Sequence, residues 1–193
     1  MSIDTAFTEF PVLTTDRLLL RQIQPTDAEA LFEIFSDEET MKFNGHPQQG
    51  SIEETYEWIR VIQGRYDRQE AIRWGVTFQD TDRVIGTCSF HRFGPGYHRV
   101  EAGYELNRSF WGQGVMFEAM SAVVAYGFDD LNLHRIEAII DILNERSKEL
   151  LLRLGFSYEG NLRQRFYMHG QFEDEYYYGL LRDEWHRQKG IAE

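Results

Sequence analysis

Two glycines, Gly112 and Gly114, stand where a strand-like alternation gives way at once to a helical pattern. Val100, Ala102, Tyr104 and Leu106 alternate with polar residues, and then Met116, Ala119, Met120, Val123 and Val124 recur on one helical stripe. At such a junction backbone N–H groups can approach a ligand with no Cβ in the way, at the positive end of a helix dipole. That arrangement suits phosphate. A dinucleotide fingerprint needs a third glycine where this chain has Phe117. A Walker-type loop needs Gly-Lys-Ser/Thr, and no lysine lies near Gly114. On this run alone, an ordinary tight strand–helix turn stays open as the alternative.

The strand before the glycines carries the other reactive groups. With Val100, Ala102, Tyr104 and Leu106 toward one face, Glu101, Gly103 and Glu105 share the opposite one. Gly103 inside a strand marks a bulge or a close backbone approach. His91, His98 and His134 have no metal-ligand partners at useful spacing, so no metal site is expected. Cys88 stands alone, which excludes an intrachain disulfide and a cysteine-based zinc cluster, and it reads as a small buried hydrophobe. No Ser/His/Asp or Cys/His nucleophile set emerges, so the residues point to no covalent enzyme intermediate. Tyr56, Trp58, Tyr66, Trp74 and Trp111 read as core or as cleft lining, and no binding pocket is legible from them.

The elements that must hold these groups alternate between helical and strand periods. Residues 17–23 read as a first strand. Thr26 to Glu29, behind Pro25, has the form of a capping box opening a helix with Ala30, Leu31, Ile34 and Phe35 on one side. Ser51 to Glu54 repeats that form before a helix running through Tyr56, Ile59 and Ile62 toward Tyr66. Residues 72–78 and 84–91 form an expected antiparallel hairpin around Asp80-Thr-Asp82. The loop Gly94-Pro-Gly96 leads into the strand 100–107, and the helix from Met116 is expected to end near Asp130. Another strand covers 135–141. Asn144 can cap a short helix that stops at Gly155, with Phe156 placed for the contact of a glycine C-cap. Residues 158–166 and 174–181 can pair across His169-Gly170-Gln171. The sum is an α+β domain with two early helices, a central sheet and two later helices.

At 193 residues, with 42 % hydrophobic and 15 % aromatic content, the chain suits one domain, 1–193, with a real core. The formal net charge of −12 counts against nucleic acid as the main partner and permits a cationic substrate such as an amine. The first ten residues lack the basic and apolar segments of a secretory signal, and no apolar run is long enough to span a bilayer. A cytoplasmic protein without a membrane partner is expected.

These residues together resemble the GNAT superfamily of N-acetyltransferases, and within it the RimJ/RimL-like branch. The resemblance runs from Thr15-Asp-Arg-Leu-Leu-Leu-Arg21 to Leu180-Leu-Arg-Asp-Glu-Trp185. It is carried by Trp111-Gly-Gln-Gly114 with Glu118-Ala119, by Asn144-x-x-Ser147 with Leu154-Gly-Phe156 and Glu159-Gly160, and by Asp174 ahead of residues 177–181. The resemblance implies a GNAT-type mixed, mostly antiparallel central sheet flanked by helices, acetyl-CoA as acetyl donor, and direct attack of a primary amine in a ternary complex. It implies that Gly112, Gln113, Gly114, Val115 and Met116 hold the diphosphate. It also implies that the main chain of Glu105 and Leu106 and the side chain of Asn144 contact the pantetheine arm. Glu101 is the implied general base, with Glu105 a rival, and Ser147 is implied to hydrogen-bond the departing sulfur.

Three departures qualify the match. The family's loop begins with Arg or Gln, where this chain has Ser109 with Arg108 displaced by one. The glutamate of the RimL type falls at Phe166, and the tyrosine acid of another branch falls at Leu151, so neither proton route carries over whole. The acceptor is a protein N-terminal α-amine or a small-molecule amine, and the missing glutamate counts against ribosomal-protein acetylation specifically. A non-catalytic CoA-binding sensor or interaction module is the second reading. The quaternary state, monomer or homodimer, stays open.

Overall fold

The computed structural model describes residues 6–190 apart from Pro95, Tyr97 and His169. The expectations about Met1 to Thr5, and the Pro95 and His169 positions of two expected loops, lie outside the described residues. The strands are β1 (Leu13–Thr14), β2 (Leu18–Gln22), β3 (Ala71–Phe78), β4 (Gly86–His91), β5 (Arg99–Leu106), β6 (Arg135–Asp141), β7 (Ser157–Met168) and β8 (Gln171–Leu181). They form one eight-stranded sheet in the order β1-β2-β3-β4-β5-β6-β8-β7, antiparallel throughout except between β5 and β6. The described helices are α1 (Ala28–Phe35), α2 (Glu38–Met41), α3 (Ile52–Asp67), α4 (Val115–Ala125, continued by a wider turn over Tyr126–Asp130), α5 (Glu145–Arg153) and α6 (Arg182–Lys189).

Each face of the sheet is covered by the stripe the sequence provides. Val115, Met116, Ala119, Met120, Val123 and Val124 of α4 pack on Leu18, Trp74, Cys88, Phe90, Val100 and Ala102. The approach is close: a Cβ at Gly127 would lie 2.9 Å from Phe90 and 3.0 Å from Ile136. On the other face Leu31, Ile34, Phe35 and Ile59 of α1 and α3 enclose Ile23 and Val84.

The feature that makes a site is the short parallel pair. β5 and β6 are in register only over Arg99–Glu101 and Arg135–Glu137. Beyond that, β5 continues along β4 to Leu106 while β6 continues along β8 to Asp141, so the sheet opens into a wedge. Charges stitch its closed end. Glu137, 6 % exposed, accepts from Arg99 at 2.9 Å and from Arg135 at 2.7 Å, and Arg135 also holds Glu159.

Several local expectations need correction. Pro25 opens a 3₁₀ turn, Pro25–Asp27, instead of preceding a cap at Thr26. Proline lacks the N–H that a later helical position needs and pre-sets the first turn. Asp27 then closes that turn by accepting from the Gln24 N–H at 2.7 Å, while Arg21 holds the same carboxylate. Ser51 makes no side-chain cap, and Glu54 accepts instead from the Gly50 N–H at 3.2 Å. Strand β1 and helices α2 and α6 were not expected; α2 is a single turn, too short to display a helical period. Gln171 belongs to β8, and β7 runs past Phe166 after a register shift. Asp174 fastens that irregularity, accepting from Asn161 at 2.7 Å and from the Gln164 N–H at 2.8 Å.

Candidate active site

The glycine pair makes the turn that the spacing suggests, and for a stated reason. Gly112 and Gly114 both take left-handed backbone conformations, φ 73° and 75°, which residues with a Cβ adopt only at a cost. Gly114 caps α4, whose first N–H groups have no partner inside the helix. A Cβ on Gly112 would meet nothing within 4 Å, so the glycine serves conformation and leaves open space beside the loop. The loop is anchored on both sides. The Trp111 indole donates to the Leu106 carbonyl at 2.9 Å, and Gln113 Nε2 donates to the Ser109 carbonyl at 2.9 Å. Glu118 accepts from Thr15 Oγ1 at 2.5 Å, from the Arg17 N–H at 3.0 Å and from Arg17 Nε at 2.6 Å, tying the β1–β2 turn to the first turn of α4.

From this loop a cleft of about 630 Å³ runs into the wedge. Glu105, Leu106, Gly112, Gly114, Val115, Met116, Asn144 and Ser147 all line it, joined by Tyr104. Asn144 caps α5 by accepting the Ser147 N–H at 3.1 Å, which places Ser147 in the wall facing β5. There Ser147 Oγ meets the Tyr104 hydroxyl at 2.5 Å. Burial pushes the Tyr104 phenol above its ordinary range, against a smaller opposing effect of that hydrogen bond, so the phenol stays protonated at neutral pH.

Glu105 faces the cleft from the other side of β5, its side chain 13 % exposed. Asn44 donates to it at 3.1 Å, Arg73 at 2.6 Å, and Thr87 as well. Burial would raise its pKa, but the Arg73 guanidinium and the three donors outweigh this and hold it below the usual carboxylate range. Glu101, on the same face of β5, is not among the residues lining the cleft. Its carboxylate is held by His91 at 3.2 Å and Arg92 at 2.8 Å, and these bonds likewise outweigh burial and lower its pKa. Gly103 between the two glutamates lies in unbroken register with Ser89, and a Cβ there would stand 3.2 Å from Ser89 Oγ, a close approach and not a bulge.

Tyr104 was read from the sequence only as an apolar-face residue. The signal available was its position two before Leu106, on the strand leading to the loop. The departures at Leu151 and Phe166 have physical places. Leu151 lies on the inner face of α5 and is fully buried in the core, and Phe166 lies against the loop after α2, 3.6 Å from where a Gly45 Cβ would stand. Cys88 is buried with its sulfur 3.6 Å from that of Met116, and burial pushes its thiol pKa far up.

A left-handed glycine turn at a helix start feeds a cleft between parting parallel strands, a shape with room for an anion at the turn and an extended chain beyond it. Residues 17–157 match the acetyltransferase (GNAT) domain, and the chain belongs to that family. It is 42 % identical to the uncharacterized N-acetyltransferase YoaA of Bacillus subtilis, over 90 % of this chain and 98 % of the relative. It is 29 % identical to the [ribosomal protein uS5]-alanine N-acetyltransferase of Escherichia coli, over 90 % of this chain and 92 % of that one. The crystal structure of a GNAT-family acetyltransferase from Bacillus anthracis superposes with a TM-score of 0.81 at 27 % identity, covering 90 % of this chain and 99 % of the other. The protein is an acetyltransferase of RimJ/RimL-like kinship, and acetyl-CoA is its acetyl donor. The open loop at Gly112 and the wedge beyond it fit a diphosphate and an extended arm. Among the described residues no helix is long and apolar enough to cross a membrane.

Proposed function

We propose that the enzyme acetylates protein N-terminal α-amines by direct attack within a ternary complex. The observation that carries this reading is that both carboxylates of β5 are already committed, Glu105 to Arg73, Asn44 and Thr87 and Glu101 to His91 and Arg92, which holds them below the ordinary carboxylate range. A base so weakened cannot efficiently deprotonate a lysine-like ammonium with a pKa of about 10.4, whereas an α-amine at roughly 7.7–8.0 is already partly neutral. The uS5-alanine N-acetyltransferase of Escherichia coli, similar along 90 % of this chain, supports the same acceptor class.

In this reading the amides of residues 112–116 hold the diphosphate, and the main chain of Glu105 and Leu106, with Asn144, holds the pantetheine arm. The Trp111 indole occupies one lone pair of the Leu106 carbonyl and leaves the other available. Glu105 draws the acceptor ammonium to the cleft by its charge, and the ammonium's proton passes to water; Glu101, the base implied by the resemblance, lies outside the lining. The amine nitrogen bonds to the thioester carbon as the C–S bond breaks. Ser147 Oγ donates to the departing sulfur while the Tyr104 hydroxyl donates to Ser147, and the proton lost by the amine restores the phenol through solvent. Positioning supplies most of the rate.

The test offers the purified enzyme acetyl-CoA with three acceptors: a lysine-free peptide with a free amino terminus, a blocked peptide with one lysine, and a polyamine. CoA release is followed and the product site is read by mass spectrometry. The free terminus should react about tenfold or more faster than the lysine, given their difference in basicity. Preferred acetylation of lysine or of the polyamine overturns the acceptor assignment. Binding of acetyl-CoA with no product from any amine would instead favour the non-catalytic sensor.

A further inference from the structure

The glycine loop lacks the side-chain cation its motif would place at Ser109, and the nearest arginines are committed elsewhere. Arg108 pairs with Asp37 at 3.1 Å. Arg17 pairs with Glu118 at 2.6 Å, and its remaining nitrogens lie 3.4 Å from the Gln113 carbonyl. Across the cleft α5 presents two guanidinium groups that are not committed. Arg146 stacks over the Trp111 ring at 4.2 Å, and Arg153 stacks over the Phe117 ring at 4.5 Å. Both line the cleft, and neither forms an ion pair among the described residues. Seven residues apart, they lie on one side of α5, spaced about 10 Å along its axis.

We infer that Arg146 and Arg153 read the ribose 3′-phosphate of coenzyme A, so that this enzyme selects CoA over its 3′-dephospho form. This rests on acetyl-CoA being the donor, and it goes beyond the acceptor assignment. Stacking fixes each guanidinium plane without neutralising it, leaving the N–H edges free for a phosphate. The amides at the start of α4 serve the diphosphate. Arg146 lies over Trp111, just before the glycines, and Arg153 over Phe117, just after them in the first turn of α4, so the pair flanks the loop and can meet a second anion beside the diphosphate. In coenzyme A that second anion is the 3′-phosphate. Two carboxylates share this stretch of lining, Glu145, drawn off by Lys148 at 3.0 Å, and Glu149, whose repulsion of a phosphate the two arginines must outweigh.

The experiment titrates CoA and 3′-dephospho-CoA calorimetrically into the wild type and into Arg146→Ala/Arg153→Ala at low ionic strength. Both side chains are exposed, so the variant should melt with the wild type. The wild type should bind CoA about tenfold or more tightly than dephospho-CoA, as charge-assisted bonds to phosphate imply. The variant should lose that preference through weaker CoA binding alone, its affinity for dephospho-CoA staying within about twofold. Equal affinity of the wild type for both nucleotides overturns the inference while leaving the acetyltransferase reading intact, and so does an undiminished preference in the variant. Failure of the wild type to bind either nucleotide would sink the donor assignment itself, and the inference with it.

Discussion

Burial and a guanidinium pull on the Glu105 carboxylate in opposite directions, and Arg73, with Asn44 and Thr87 as further donors, wins. The same balance holds at Glu101 with His91 and Arg92. Their folded pKa values lie below the unfolded ones, so the stability they contribute is present above about pH 5 and is lost as pH falls through the depressed values. Between pH 6 and 9 both are therefore ionised and contribute no titration to the rate. With an α-amine acceptor, log kcat/KM should rise with unit slope and level off near the acceptor's own pKa of roughly 8. Glu101→Gln should leave that limb in place. A limb that moves with this substitution, measured over the same range with the same peptide, would return the base role to Glu101. At Tyr104, substitution by Phe removes the donor behind Ser147 but keeps the ring. It should lower kcat by about tenfold or more with little change in the KM for acetyl-CoA, since the lost bond matters when charge develops on sulfur. An unchanged kcat would reduce Tyr104 to a wall of the cleft.

At the scale of elements, the loop separates two uses of glycine. Both positions sit near φ 75°, but only the second caps α4. Gly112→Ala should cost about 1–2 kcal/mol for the left-handed backbone, a cost that a melting curve reads. Gly114→Val should also abolish the rise in melting temperature that acetyl-CoA produces; at a hundredfold excess over Kd that rise corresponds to about 2.7 kcal/mol. An intact ligand response in Gly114→Val would remove the turn from the site. This loop was legible because its physics is local: glycine at positive φ, then an immediate helical stripe. The Asn144 cap and the Gly155 stop were legible for the same reason. The Thr26 box was misread because Pro25 and Arg21, acting together with Asp27, decide that turn through a strand-to-turn contact that the four-residue pattern does not contain. Tyr104 went unremarked as a site residue because only the packing of α5 on β5 brings Ser147 to it.

At the scale of the whole molecule, what the residues serve is a sheet that stops pairing partway along. The parallel contact of β5 with β6 lasts three residues, closed at one end by Glu137 with Arg99 and Arg135. That split could not be read from strand patterns, which report faces and not the length over which neighbours stay together. Past it, the β6-facing edge of β5 lacks a strand partner, and the donor's pantetheine arm can serve as one. Saturating acetyl-CoA should therefore slow hydrogen exchange in two discontinuous segments, residues 104–106 of β5 and residues 112–117 of the loop and α4. Exchange in β3 should be unchanged, because that strand is paired on both edges, by β2 and β4, whether or not the donor is bound. The two segments should gain protection together across a titration, with one midpoint, since a single molecule spans both. Protection at the loop without protection at the strand would mean the diphosphate binds while the arm lies outside the wedge, and Glu105, Tyr104 and Ser147 would then have no reacting group within reach.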